Sequence, residues 1–166
     1  MIETSLKTKV INNITSVLEE YKFENWKSKF DGMYASKRFG SEKIILVKPQ
    51  TYMNLSGFCV AQFKQFFNVN DDDIFVIYDD IDLSFGDKRL KQGGGDAGHK
   101  GVRSISQHLG NKNFYRIRIG VGRPKEKEDV SSFVLSNFSK TEMDTVLLII
   151  KELCEDFENI IQNKQI

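Results

Sequence analysis

The chain has 166 residues, 40% of them apolar and 28% charged, which suits one soluble domain large enough to bury a core. No apolar run approaches the ~20 residues that span a bilayer, and Met1 to Val10 lacks the apolar stretch of a signal peptide. The formal net charge is only +1, yet eleven Lys or Arg stand against three Asp or Glu from Gly86 to Lys127, and eight acidic residues against three basic from Glu128 to Ile166.

The elements alternate along the chain. Lys7 to Tyr21 carries Val10, Ile11, Ile14, Val17 and Leu18 at helical spacing. Gly32 to Phe39 and Glu42 to Lys48 read as an antiparallel pair turned at Gly40-Ser41. Leu55 to Phe67 is an apolar helix containing Phe58, Val60, Phe63, Phe66 and Phe67. Ile74 to Tyr78 is a buried strand, and Lys88 to Lys91 a basic one. His99 to Leu109 reads as a helix, followed by a strand from Phe114 to Gly122, where Ile117, Ile119 and Val121 alternate with Arg116, Arg118 and Gly120. Asp129 to Leu135 and Lys140 to Asn163 are helical, the second with Val146, Ile149, Ile150, Leu153, Phe157 and Ile160 on one face. There is no repeat or long linker. The pattern predicts a single α/β domain over residues 1–166, a mixed twisted sheet with helices on both faces. Cys59 and Cys154 lie far apart without CxxC spacing, so reduced buried thiols and a cytosolic chain are expected.

Polar groups gather where strands end and helices begin, the usual ligand crevice of an α/β sheet. Ile74 to Tyr78 runs into Asp79, Asp80 and Asp82. Clustered carboxylates suit Mg²⁺, but Asp79 and Asp80 alternate faces on a strand, so all three are not expected on one ion. A carboxylate that orients a histidine is the second reading; acids capping turns at a strand end is the plain one. The loop Gly93 to Gly101 resembles a phosphate cradle and delivers His99, one of two histidines, to a helix start. It is neither a Walker A loop nor a dinucleotide fingerprint. Asn54, before a helix, is chemically an N-cap and is also placed to offer an amide to a ligand. The cations from Lys88 to Arg118 suit phosphates, although a solvated basic surface has the same composition.

Several stretches together resemble the bacterial peptidyl-tRNA hydrolases: Lys48-Pro49-Gln50-Thr51-Tyr52-Met53-Asn54-Leu55-Ser56-Gly57, Tyr78-Asp79-Asp80-Ile81-Asp82-Leu83, Gly93 to Gly101, Phe114 to Pro124, and Phe133-Val134-Leu135 with Phe138-Ser139. The likeness runs from about Gly32 to the C-terminus. It implies hydrolysis of the ester joining a peptide to the 3′ ribose of tRNA by a monomeric cytosolic enzyme without metal or cofactor, with tRNA as partner. Position by position, Asp79 matches the aspartate that stabilises the catalytic histidine. Tyr52, Met53 and Asn54 match the peptide and terminal-adenosine site, and His99 the loop histidine near the substrate. Lys91 and Arg118 match cations facing the tRNA; Lys88 and Arg103 extend that basic surface. Lys100 stands where the family has asparagine and keeps a donor without the acceptor.

The N-terminus departs from the family. Relatives open with a strand, a Gly-Leu-Gly-Asn-Pro-Gly turn and a Thr-Arg-His-Asn segment whose histidine is the general base. Here Thr4-Ser5-Leu6-Lys7 stands at the nearest alignment, and no histidine precedes His99. The base, its neighbouring asparagine and a core strand are therefore expected to be missing. A start placed too late, a scrambled N-terminal stretch, and a non-catalytic homologue that keeps the tRNA-facing surface all account for this. Two functions stay open: an ester hydrolase, and an RNA-binding module using Lys88, Lys91, Lys100, Arg103, Arg116 and Arg118.

Overall fold

The computed structural model of the protein describes residues 2–3, 21–124 and 130–166. The helix expected from Lys7 lies outside these residues, apart from Tyr21 in a turn. Among the described residues, seven strands form one sheet: β1 (Ile2–Glu3), β2 (Lys27–Lys29), β3 (Gly32–Phe39), β4 (Glu42–Pro49), β5 (Phe75–Asp80), β6 (Lys88–Gln92) and β7 (Tyr115–Gly120), in the order β2-β3-β4-β1-β5-β7-β6. The four central strands run parallel, while β2, β3 and β6 are antiparallel to their neighbours. The helices are α1 (Ser56–Phe67), α2 (Lys100–Leu109), α3 (Val130–Leu135), α4 (Lys140–Glu155) and α5 (Phe157–Asn163).

Each face of the sheet has its own core. On one, Val47, Val76 and Tyr78 pack against Cys59, Val60 and Phe63 of α1 and Val102 and Ile105 of α2. On the other, Leu46, Ile77 and Ile117 meet Val146, Ile149 and Ile150 of α4 and Phe157 and Ile160 of α5. The mixed sheet with helices on both faces agrees with the sequence pattern, as does the hairpin turned at Gly40, whose φ is +59°. Both cysteines are buried and neither is in a disulfide, and burial pushes the Cys59 thiol up to about 12.

Four elements differ from expectation. The gap predicted at the centre of the sheet is partly filled, because Ile2–Glu3 pairs parallel with both β4 and β5. The strand expected to stop at Tyr78 continues through Asp79 and Asp80, both buried. The helix predicted from Lys140 to Asn163 starts at a capping box of Ser139 and Glu142 but breaks at Asp156. That bend sets the Phe157 ring against Phe23 and Phe39. The strand Lys27–Lys29, polar and short, was not anticipated at all.

The helices α1 and α2 touch through backbone. The Gly57 N–H donates to Ser104 Oγ at 3.0 Å, and a Cβ on Gly57 would lie 2.1 Å from the Ser104 carbonyl oxygen. Since α1 carries the Met53–Asn54 turn and α2 begins beside His99, this contact fixes one half of the crevice against the other. Gly57→Ala should therefore cost about 1–3 kcal/mol through forced separation of the helices. An unchanged urea midpoint would show that the two helices move apart freely.

Candidate active site

The crevice forms where β4 and β5 end. After β4, Met53–Leu55 makes a 3-10 turn that leads into α1. Tyr52 is 82% exposed at its tip. Asn54 is exposed and does not cap α1, whose N-cap is Leu55, because the intervening turn carries Asn54 past the helix start. Its amide has no hydrogen-bond partner among the described residues, so it faces solvent. Met53 lies against the start of α2: a Cβ on Gly101 would come within 2.5 Å of its sulfur and 3.0 Å of the His99 ring. Only glycine allows Met53 and His99 to close on that turn.

The loop after β6 does not rise from the same edge. Gly93 N–H bonds the Phe114 carbonyl at the far end of β7, and the loop then crosses the sheet face. Positive φ at Gly93, Gly94, Ala97 and Gly98 makes this path possible, with Ala97 at +47° the one strained non-glycine. Arg116, 1% exposed, donates from Nη1 to the Gly95 carbonyl from beneath.

The loop ends at His99, the N-cap of α2. Its Nδ1 accepts the Val102 N–H at 3.2 Å. The tautomer follows from this contact: Nδ1 holds a lone pair, so the proton of the neutral ring sits on Nε2. Nε2 lies 3.4 Å from Asp79 Oδ1, with both side chains nearly buried. That approach is an ion-pair distance but is too poorly directed to satisfy Oδ1, which has no hydrogen-bond partner among the described residues. The Tyr78 ring packs 5.1 Å from the imidazole. The other histidine is far from this chemistry. His108 Nδ1 sits 2.9 Å from the Ser104 carbonyl, and its ring meets Phe58.

Under the loop lies a cavity of about 280 Å³, lined by Tyr78, Asp82, Lys91, Arg116, Arg118 and the Gly93–Gly95 backbone. Register explains its charge. Lys91 stands opposite Arg116, and Arg116 opposite Val76; Arg118 is level with Tyr78. Arg116 keeps Nε and Nη2 buried without hydrogen-bond partners among the described residues. Burial pushes its pKa down, and the neighbouring Tyr78 pulls it back up. Burial also raises the Tyr78 phenol, so Tyr78 stays neutral and able to donate. Arg118 Nε pairs with Asp80 at 2.6 Å; its side chain is 22% exposed, while that of Asp80 is fully buried. Asp80 also accepts the Asp82 N–H, and Asp82 pairs with Arg123. The three carboxylates thus diverge to His99, Arg118 and Arg123.

Not every cation expected at this surface reaches it. Lys88 is level with Ile119 and pairs with Glu152 of α4 at 2.6 Å, on the opposite face of the sheet, because strand side chains alternate. Arg103 pairs with Asp96 at 2.7 Å, strapping α2 to the loop, and lowers the Asp96 carboxyl below its usual range. Lys100 is exposed at the first position of α2, beside the crevice. Tyr78 escaped the sequence reading as a site residue, and Asp80 was weighed there only as one of three strand-end carboxylates, although their i, i+2 spacing puts them on the same face as Arg116 and Arg118.

The molecule is thus of the α/β class, with a buried carboxylate facing a helix-capping histidine at the carboxyl edge of parallel strands and a cationic cavity alongside. Comparison with known sequences makes this specific. Residues 9–166 match the sequence model of the peptidyl-tRNA hydrolase family, and the chain belongs to that family of hydrolases. The peptidyl-tRNA hydrolase of Oceanobacillus iheyensis is 42% identical over 151 residues, which cover 91% of this chain and 81% of the relative. That of Rickettsia felis is 46% identical over 138 residues, covering 83% and 74%. The crystal structure of the Acinetobacter baumannii peptidyl-tRNA hydrolase superposes with a TM-score of 0.84 at 31% identity, covering 93% of this chain and 79% of that one.

Arg118→Ala should cost about 3 kcal/mol, because it leaves the Asp80 charge buried without its partner. Urea denaturation measures the loss. A loss near zero would mean that Asp80 takes up a proton or water at no cost.

Proposed function

We propose that this chain acts on peptidyl-tRNA, hydrolysing the ester between the peptide and the 3′ ribose, and that it works as a cytoplasmic monomer without metal or cofactor. The observation that supports this reading best is the buried Asp79–His99 pair beside a cavity lined by Lys91, Arg116 and Arg118. A polyanionic substrate needs the cations; ester hydrolysis needs a carboxylate that orients a histidine and stabilises its cation. In this reading the exposed Tyr52 and the Met53 thioether receive the peptide and terminal adenosine. The Asn54 amide and the Lys100 ammonium hydrogen-bond their polar groups. Lys91 and Arg118 hold phosphate, with Arg103 at the rim, and Lys88 has no direct part.

Asp79 keeps a buried oxygen that a second imidazole would satisfy. His99 itself makes a poor base, since Nδ1 is committed to the helix and Nε2 carries its proton toward Asp79. The described end of β1, Glu3, is level with Ile77, two residues before Asp79. No histidine precedes His99 in the sequence to act as that second imidazole. This observation favours the second reading, a homologue that binds tRNA without hydrolysing it.

Two measurements separate these readings. Lys91→Ala should weaken tRNA binding and reduce the slope of log affinity against log salt by about 1; an unchanged slope removes the cavity from the tRNA surface. The chain should also hydrolyse N-acetyl-aminoacyl-tRNA at least ~10²-fold more slowly than a version given the family's N-terminal strand, turn and Thr-Arg-His-Asn segment. In that version Asp79→Asn should lose about 10²-fold or more. If the grafted protein binds tRNA but stays inactive, the binding reading stands. Full activity without the graft would make His99 the base.

A further inference from the structure

The turn that delivers His99 is of a disfavoured kind. From Asp96 to His99 the chain makes a β-turn, with the His99 N–H bonded to the Asp96 carbonyl at 2.7 Å. Its two central residues, Ala97 and Gly98, have φ of +47° and +76°. Positive φ at both centres defines the type I′ turn, which favours Gly, Asn or Asp because other side chains crowd the backbone there. Alanine has no polar group to support that conformation, so neighbouring contacts must impose it. Asp96 supplies them. Its carboxylate takes the Arg103 Nε–H at 2.7 Å, from the first turn of α2. Arg103, helped by the Gly98 N–H two residues on and by the N–H of Asp96 itself, holds this carboxyl below its usual range. The Arg103 N–H bonds the His99 carbonyl at 3.0 Å, which closes the ring of contacts. His99 leaves the turn extended, with φ −71° and ψ 112°. That exit lays its imidazole over the helix start, Nδ1 on the Val102 N–H and Nε2 toward Asp79.

We infer that Asp96 is a positioning residue for His99: by holding Ala97 and Gly98 in a type I′ turn, it sets the imidazole against Asp79 and fixes its Nε2–H tautomer. What this placement brings to hydrolysis rests on the function proposed above; the placement itself does not. A strap between loop and helix that only added stability would act on α2 as a whole. A residue that works through the turn acts on His99 alone, and it becomes dispensable once glycine replaces Ala97, because glycine takes positive φ without support. The sequence thus contains its own control. The second histidine, His108, lies on the same helix with Nδ1 2.9 Å from the Ser104 carbonyl, away from the turn.

The test is nitrogen-15 NMR of both imidazoles in the parent chain, in Asp96→Ala and in Asp96→Ala/Ala97→Gly, without RNA, so its outcome is independent of any activity. The neutral His99 ring of the parent should show one tautomer, with the proton on Nε2. Asp96→Ala should shift both His99 nitrogens toward the averaged values of a free imidazole and leave His108 in place. Ala97→Gly should then restore the parent values. Contact with Asp79 is read by adding Asp79→Asn to each protein. It should move the Nε2 resonance in the parent and in the restored protein, and leave it still in Asp96→Ala. Unchanged His99 nitrogens in Asp96→Ala would overturn the inference. So would a joint shift of His99 and His108, which marks a general loosening of α2, or a failure of Ala97→Gly to restore His99. If neither variant folds, Asp96 serves the fold rather than the turn and the inference fails as well.

Discussion

The register of β5, β7 and β6 is the constraint on which the site depends. Val76, Arg116 and Lys91 lie on one level, and Tyr78, Arg118 and Arg89 on another. With a side-chain period of two, that register sends every one of these residues to the face covered by α2, and Ile117, Ile119 and Lys88 to the face covered by α4. A slip of one residue would drive Arg116 and Arg118 into the core around Ile149 and Ile150, and expose Ile117 and Ile119 to the cavity. The buried desolvation cost of two guanidinium groups forbids it. The apolar residues of β7 therefore fix the charged ones.

The same register sets like charges opposite each other, which by itself destabilises a strand pair. The structure offsets this with specific partners. Arg116 bonds the Gly95 carbonyl and lies 4.6 Å over the Phe114 ring, and Arg118 takes Asp80. Arg116 still keeps two nitrogens without hydrogen-bond partners among the described residues. Local cost of this kind, maintained by surrounding packing, is expected where a ligand completes the arrangement.

The sequence made much of this legible, and the failures have physical causes. Apolar periodicity located the β3–β4 hairpin and α1, α2 and α4, because each buries one face. It ended β5 too early at Tyr78, because aspartate is rarely buried; only the fold reveals Arg118 as the partner that permits Asp80 inside. The bend at Asp156 has no glycine or proline to announce it, and arises from packing Phe157 onto Phe23 and Phe39. Lys27-Ser28-Lys29 has no strand pattern and pairs only because β3 offers an edge. Of the site, the strand-end aspartates, His99 and Asn54 stood out by their places at a strand end and at helix starts, and resemblance to the family singled out Asp79 among the aspartates and added Tyr52 and Met53. No spacing rule shows that the glycine loop starts at the far end of β7 and crosses the sheet face to bring His99 to Asp79. The assignment of Lys88 to the basic surface failed on parity: three positions from Lys91 on a strand means opposite faces.

The three cations of the cavity differ in what they bring to an anion. Arg118 is oriented by Asp80 through Nε alone, and its terminal nitrogens have no bond among the described residues. A planar fork held this way loses little freedom on binding. Its charge is, however, already half spent on Asp80. Arg116 contributes desolvated N–H groups that gain more from a partner than exposed ones do, but it also holds the loop and cannot move to follow a ligand. Lys91 is exposed, and its ammonium lies across Gly94, 3.3 Å from where a Cβ would stand. It is the one cation of the three free to follow a phosphate. Orientation, hydrogen bonding and long-range attraction are thus divided among separate side chains. Removing Lys91 tests attraction alone, whereas removing either arginine also disturbs the fold that places His99.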